Sequence, residues 1–308
     1  MWKLKVLVQF VLALLPAGER VNSLLQILNR SHSPNATAGR LVEYAKRIKA
    51  IDEHKSLENS TVLEMGTGWE PTSALLFHLM GARTVYTYDH LPHVRFGLAQ
   101  QIVEQMRESV EQIRLVTSRP SSVLTRRLSK LRGATDLEEL FAYAGIVYKA
   151  PGDATRSGLA DHSVDLVYSH AVLEHVPERV IKGITIEAKR VLKDDGIAYH
   201  AIGLHDHYAN LKFGRQLSKV NFLRYPEWLW AFFVKNKISY HNRLREKQFL
   251  DIFESYGAEI KWIENKIDQA DVETLKNMKI DERFAGMTYE ELAVHYSEVM
   301  MAFNEACK

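Results

Sequence analysis

Val62-Leu63-Glu64-Met65-Gly66-Thr67-Gly68 is an apolar run that stops at two glycines one residue apart. The reading is a buried strand (61–65), a glycine turn, and then a helix carrying Ser73 to Met80. A second strand is expected over 84–88, ending at Asp89. Strand, glycine turn, helix and strand make one βαβ unit. Open parallel sheets take ligands outside the carboxyl ends of their strands, so the turn and Asp89 mark one edge of one sheet.

Strand character returns at 146–149 before Gly152-Asp153-Ala154, at 164–169, and at 197–202. Between the last two, a helix is expected from Glu178 to Leu192, closed by a turn at Lys193-Asp194-Asp195-Gly196. The alternation predicts a mostly parallel sheet covered by helices on both faces, an α/β Rossmann-like architecture. Residues 100–145 carry helical spacing and the basic residues Arg114, Arg119, Arg126, Arg127, Lys130 and Arg132. They read as a solvated helical insertion, with an anion or lipid-headgroup site as the sharper alternative. Residues 203–245 break the alternation and are rich in His, Tyr, Trp, Asn and Arg. The expected division is an N-terminal helical extension (1–55, with a loop at 31–35), a core (56–205), a substrate cap (206–245) and a C-terminal completion (246–308). Within that completion a helix is expected over 245–256, a strand pair over 258–267 and a helical tail over 270–306.

Composition narrows the function classes. The 308 residues are 46% hydrophobic and 25% charged with a formal net charge of +2, which gives no electrostatic case for nucleic acid. The single cysteine, Cys307, excludes a disulfide framework and a cysteine zinc site. The apolar run at 6–15, after Lys3 and Lys5 and before Pro16-Ala17-Gly18, is too short to span a bilayer. It reads first as a helix packed on the domain, with peripheral membrane contact through residues 1–16 and a cleaved signal segment as alternatives. The sequons at Asn35 and Asn59 read as chance matches.

The ligand class follows from the turn. A dinucleotide site needs a third glycine three positions after the second, so that the helix start can hold pyrophosphate. Pro71 stands there, after Trp69-Glu70. A bulky, acidic turn suits a ligand without phosphates. S-adenosylmethionine (SAM) carries a sulfonium and an ammonium group, so carboxylates at Glu64 and Glu70 favour it over NAD. Asp89, 21 residues after Gly68, can accept hydrogen bonds from ribose hydroxyls, and Asp153-Ala154 can border adenine.

Leu63 to Gly68, Asp89, Asp153-Ala154 and the run Ser163-Val164-Asp165-Leu166-Val167-Tyr168-Ser169-His170-Ala171-Val172-Leu173-Glu174-His175 together resemble the class I SAM-dependent methyltransferases. The closest likeness is to the type 11 methyltransferase domain, over about residues 60–200. Trp69-Glu70-Pro71 departs from the small residues usual in that glycine loop. The resemblance implies that Glu64, Gly66, Thr67 and Gly68 line the methionine side, Asp89 and His90 the ribose, Asp153 and Ala154 the adenine, and that Ser169 and His170 lie near the reacting methyl. The donor would be SAM, leaving S-adenosylhomocysteine (SAH). A finer likeness to glycan and surface-polysaccharide methyltransferases rests on Gly66 to Thr72, Asp206-His207-Tyr208, Asn221 to Tyr225 and Tyr240 to Arg245.

An alcohol acceptor needs a general base. His207 is the preferred candidate, with Asp206 as orienter and His170 as a further catalytic residue. Glu174, Tyr208, Arg224, Tyr240, Asn242 and Arg243 are the expected acceptor contacts. A divalent ion on His205, His207, Asp206 and Glu174 is the less favoured alternative. The expected activity is therefore O-methylation of a sugar, glycan or other small molecule, free or lipid-linked, by a cytoplasmic enzyme. The alternatives are a lipid, amine or natural-product acceptor, or a SAM-binding protein without activity. The segment after the fourth strand, Ser169-His170-Ala171-Val172, lacks the Pro-Pro-aromatic pattern of nucleic-acid amino-methylating enzymes.

Overall fold

The computed structural model describes residues 2–16, 18, 21–22, 37–210 and 217–303. The loop expected at 31–35, the sequon at Asn35 and Cys307 lie outside the described residues. Seven strands form one sheet in the order β3-β2-β1-β4-β5-β7-β6. This is the Rossmann order with one strand inserted beside the last. The order reverses between β1 (Thr61–Met65) and β4 (Val164–His170), which makes their carboxyl ends the topological switch point.

The chain divides into two compact units, and each is taken by itself. One comprises Arg30–Ser169, Gly183–Tyr199 and Ala302–Lys308. In it β1 pairs in parallel with β2 (Thr84–Tyr88) and with β4, and β2 with β3 (Ile146–Lys149). All five residues of β1 are buried, as a strand covered on both faces requires. The helix between β1 and β2 (Thr72–Met80) is buried at every position and ends on Gly81 in the left-handed region. The helix at Thr37–His54 precedes β1.

The expected helical insertion is present as four helices, Phe96–Glu108, Val110–Thr117, Ser121–Leu131 and Leu137–Ala144. Three of its basic residues pair with acids of the same unit. Arg114 pairs with Glu111, Arg119 with Asp52 and Glu58, and Arg127 with Glu58. These pairs support the reading as a solvated helical face. The turn expected at 193–196 is not formed. The helix Glu178–Val191 passes straight into β5 (Leu192–Gly203). Lys193 reaches Asp165 of β4 at 2.8 Å, and Lys55 reaches Asp195 at 2.5 Å, so the charged residues are spent on holding an extended segment.

The other unit comprises Met1–Asn29, His170–Lys182 and His200–Met301. Its core gathers Val6, Phe222, Trp230, Val272, Leu275 and Phe284. The N-terminal helix Trp2–Leu14 packs through Phe10 on Phe232 and Phe233 of the helix Glu227–Phe233, with ring centroids 5.1 and 5.4 Å apart. No helix among the described residues is long and apolar enough to cross a membrane. A helix spans Glu246–Ser255, as expected, but 258–267 is one ten-residue strand, β6, and not a pair. The helical tail is also corrected. Helices occupy only Gln269–Lys276 and Tyr289–Ala293, and Val294–Phe303 is strand β7. Met and Ala favour helix in isolation, but β7 lies between β5 and β6 and is buried along most of its length, so sheet context prevails.

Candidate functional site

Register aligns the strand ends on which the site is built. Met65 stands opposite Tyr88 on one side and Ser169 on the other, and Tyr88 stands opposite Lys149. The glycine turn, Asp89, the 150–154 turn and His170 therefore all follow the same edge. Backbone hydrogen bonds stitch the first three together. The amides of Gly66 and Thr67 donate to the Tyr88 carbonyl, the Asp89 amide to Lys149, and the Gly152 amide to Asp89. Gly66 and Gly68 have φ of 87° and 65°, a region that favours glycine. A Cβ on Gly68 would meet nothing within 4 Å, so the chain itself does not fill the face of the turn.

Asp89 ties this turn to the second strand. One carboxylate oxygen accepts from the Gly68 amide at 2.7 Å, the other from Leu91 at 3.2 Å, and His90 Nδ1 lies 3.0 Å away. Burial raises the carboxyl's affinity for protons, but these donors outweigh it and hold Asp89 below the usual carboxylate range. Asp89 is thus ionised, the state a ribose diol needs from its acceptor.

Glu64 lies under the turn. The Thr67 and Thr87 hydroxyls are 2.6 Å apart, and Thr87 donates to Glu64 Oε2 at 2.6 Å. Thr67 must therefore donate to Thr87. Burial pushes the Glu64 carboxyl up to about 7 against the pull of these hydrogen bonds. A cation brought to it would restore the charge. Thr87 was not among the residues picked from sequence. Its signal is the alternation of β2, which turns Thr87 to the same side as Val85. Trp69 stacks on His93 at 4.5 Å, and Glu70 lies 3.5 Å from Arg40. Asp153 is exposed, and its Oδ1 accepts from the amide and hydroxyl of Thr155. Ser169 is buried. These residues and the donor chemistry fit: an open glycine turn, a buried ionised carboxylate at the next strand end, and a buried carboxyl beneath.

The acceptor residues expected in 206–245 fare differently. Arg243 is corrected from a substrate contact to an internal brace: its guanidinium donates to the carbonyls of Phe222 and Tyr225 and to Glu227, at 2.9, 2.6 and 2.6 Å. Its side chain is fully buried over the Trp230 ring. Arg245 is also buried and donates to the carbonyls of Leu204, Leu292 and Val294. Asn242 clamps the short turn Leu173–His175, donating to Leu173 and Val176. The Tyr208 hydroxyl reaches Gln9. Asp206 does not orient His207. Its oxygens accept from the Tyr208 amide and from Asn221, and burial pushes it up to about 6. Arg224 is exposed and Tyr240 half-buried.

His207 sits among imidazoles instead, with ring centroids 4.8 Å from His175, 4.9 Å from His205 and 4.5 Å from His241. Burial first, then the charges of His175, His205 and Lys5, hold it well below the usual imidazole range. Ligand atoms of Glu174, His175 and His207 lie within 4.8 Å of one another. Sequence reading singles out His175 beside Glu174 and His241 in the cap, but not their meeting with His205 and His207, because the four rings come from three separated segments. His170 ends β4 half-buried, its ring 6.5 Å from Tyr296.

A family model described as a methyltransferase domain matches residues 117–200. The segment includes Asp153, Ser169 and Glu174 and leaves out the glycine turn and Asp89. No curated protein matches the sequence. Among solved structures, the chain is similar to an S-adenosylmethionine dependent methyltransferase from Mesorhizobium loti (14% identity, 80% of this chain and 92% of that one, TM-score 0.42). It is similar also to a TehB-like SAM-dependent methyltransferase from Corynebacterium glutamicum (12% identity, 85% and 88%, TM-score 0.41). A third is the geranyl diphosphate C-methyltransferase from Streptomyces coelicolor (11% identity, 79% and 71%, TM-score 0.40). The strand order is Rossmann-like, and the segment matched by the methyltransferase-domain model lies within that fold.

Proposed function

We propose that this chain transfers a methyl group from SAM to a small-molecule acceptor. The observation that carries the reading is the alignment of three strand ends, stitched by backbone hydrogen bonds, with an ionised Asp89 beside an open glycine turn. SAM supplies an electrophilic methyl on a positive sulfur, which leaves as SAH. In this reading the 66–68 turn holds the methionine end, Asp89 the ribose diol, and Asp153 with Ala154 the adenine edge. Glu64 offsets the donor's positive charge from beneath. The remaining task of the protein is to fix the acceptor atom in line with the methyl and to take its proton.

For that proton we assign His170, which ends β4 directly after Ser169. His207 is the weaker base, because burial among three other imidazoles disfavours its protonated form.

We further infer that the acceptor has an apolar body. The polar side chains that would read a sugar in 206–245 are largely occupied within the protein, Arg243 and Asn242 above all. The same unit holds a cavity of about 250 Å³ lined by Val6, Leu7, Leu229, Trp230, Phe233 and Val234, with Lys3 and Tyr225 as its polar members. Apolar walls with few polar groups suit a lipid, terpenoid or other natural-product scaffold better than a glycan. The deciding assay offers the protein labelled SAM with apolar alcohols, amines and free sugars. Label in the apolar compounds supports the reading. Label in sugars alone restores a glycan acceptor and overturns the apolar one. SAM binding with no transfer to any of them would leave a donor-binding protein without activity.

A further inference from the structure

Glu174 is a carboxylate with half of its bonding capacity spoken for. The turn Leu173–His175 is fixed from outside, since Asn242 donates its side-chain amide to Leu173 and Val176 and its backbone amide to the Glu174 carbonyl. That clamp drives the Glu174 side chain inward, to 1% exposure. Oε1 accepts from the Gly203 amide at 3.0 Å. Oε2 is buried and has no hydrogen-bond partner among the described residues. The lack of a side chain on Gly203 leaves room for this approach, since a Cβ there would lie 2.6 Å from Oε1. A buried carboxylate oxygen without a partner is unfavourable unless a proton or a cation meets it.

The groups arranged around Glu174 suit a cation. His175 Nδ1 lies 3.0 Å from the Tyr240 carbonyl. A proton on Nδ1 donates to that carbonyl and leaves Nε2 with a lone pair, the usual way a second partner orients a metal-binding histidine. His207 stacks on His175, and His205 and His241 pack on His207.

We infer that Glu174, His175 and His207 form a binding site for one divalent transition-metal ion. Two imidazoles and one carboxylate select zinc, manganese, iron or cobalt over the all-oxygen preferences of magnesium and calcium. Bonds of about 2.0–2.1 Å place ligand atoms of one tetrahedral ion roughly 3.3 Å apart. The three atoms here lie within 4.8 Å, so the side chains close by at most about 1.5 Å on binding. Three protein ligands leave a coordination position open to an oxygen from outside the chain. This ligand set differs from the one read from sequence, because Asp206 is held elsewhere by Tyr208 and Asn221.

The test titrates cobalt(II), then zinc, into tag-free, chelator-treated, full-length protein, reading visible absorption and heat. One equivalent of cobalt binds with d–d absorption bands, and zinc displaces it. Glu174→Gln and His207→Ala each weaken cobalt binding at least tenfold, and His54→Ala, an exposed histidine outside the cluster, leaves it unchanged. No binding, or equal binding in the wild type and both variants, overturns the site. If a variant fails to fold by circular dichroism, X-ray absorption on the zinc-loaded wild type decides. Two imidazoles with a carboxylate in the shell support the site, and fewer than two imidazoles overturn it. SAH binding measured in parallel separates the inferences: metal without SAH sinks the proposed activity, and SAH without metal sinks only the metal site.

Discussion

The strand edge at residues 64–89 and the segment at 206–245 are both rich in polar side chains, yet they use them in opposite ways. At the edge, Gly68 turns an open face outward, and Asp89 keeps its charge at the end of a strand. In 206–245, Arg243 and Asp206 are buried and bonded to their own chain. Polarity in a sequence is therefore no measure of availability. What distinguishes the two regions is the open face left at the Gly68 turn against the complete burial of the Arg243 side chain.

The largest effect is expected at Arg243. Arg243→Ala removes two carbonyl contacts and one ion pair, while Glu227 keeps Lys235 and Arg283. A loss of about 3 kcal/mol of stability is expected, the low end for a broken buried pair, because Glu227 is not left alone. Chemical denaturation should show it, with SAH affinity unchanged in the folded fraction. A fully stable variant with weakened acceptor binding would return Arg243 to the substrate.

Asp89→Ala is expected to act in the reverse way. SAH affinity should fall by about 2–3 kcal/mol, roughly 30- to 150-fold, through lost charge-assisted hydrogen bonds. Unchanged affinity by calorimetry would remove Asp89 from the ribose role.

Glu64 sharpens the contrast through pH. Its carboxyl is raised to about 7 by burial, so it is mostly protonated at pH 6 and mostly ionised at pH 8. The cationic donor prefers the ionised form. SAM affinity should therefore rise with pH through 7, by at most about tenfold per unit below that value, and level off above it. Glu64→Gln should flatten the profile. A flat wild-type profile would separate Glu64 from the donor's charge. The smallest effect is expected at Asp153, which is exposed and already bonded to Thr155. Asp153→Asn should cost SAH affinity only about 0.5–1 kcal/mol, a few-fold.

The sheet was legible because its signals are local. Runs such as Val62 to Met65 end at glycines or carboxylates, and strand, turn and helix succeed one another at short range. β7 was not, because 294–303 carries helix-favouring Met and Ala, and its place between β5 and β6 is set by residues far off in sequence. The edge residues Gly66, Gly68 and Asp89 could be named in advance for the same local reason. The burial of Arg243 could not, since it depends on carbonyls at 222 and 225 that only the fold brings near. The imidazole cluster lies between these cases: His205 and His207 stand out in sequence, but their companions at 175 and 241 are joined to them only by folding.

The central claim is that one adenosyl group carrying a positive sulfur belongs at this strand edge. Isothermal titration of SAM and of SAH into intact, folded protein tests it most directly. One site per chain with a dissociation constant on the order of micromolar, lost in Asp89→Ala, is the expected result. No heat with either compound, together with measurable binding of NADH, would contradict it.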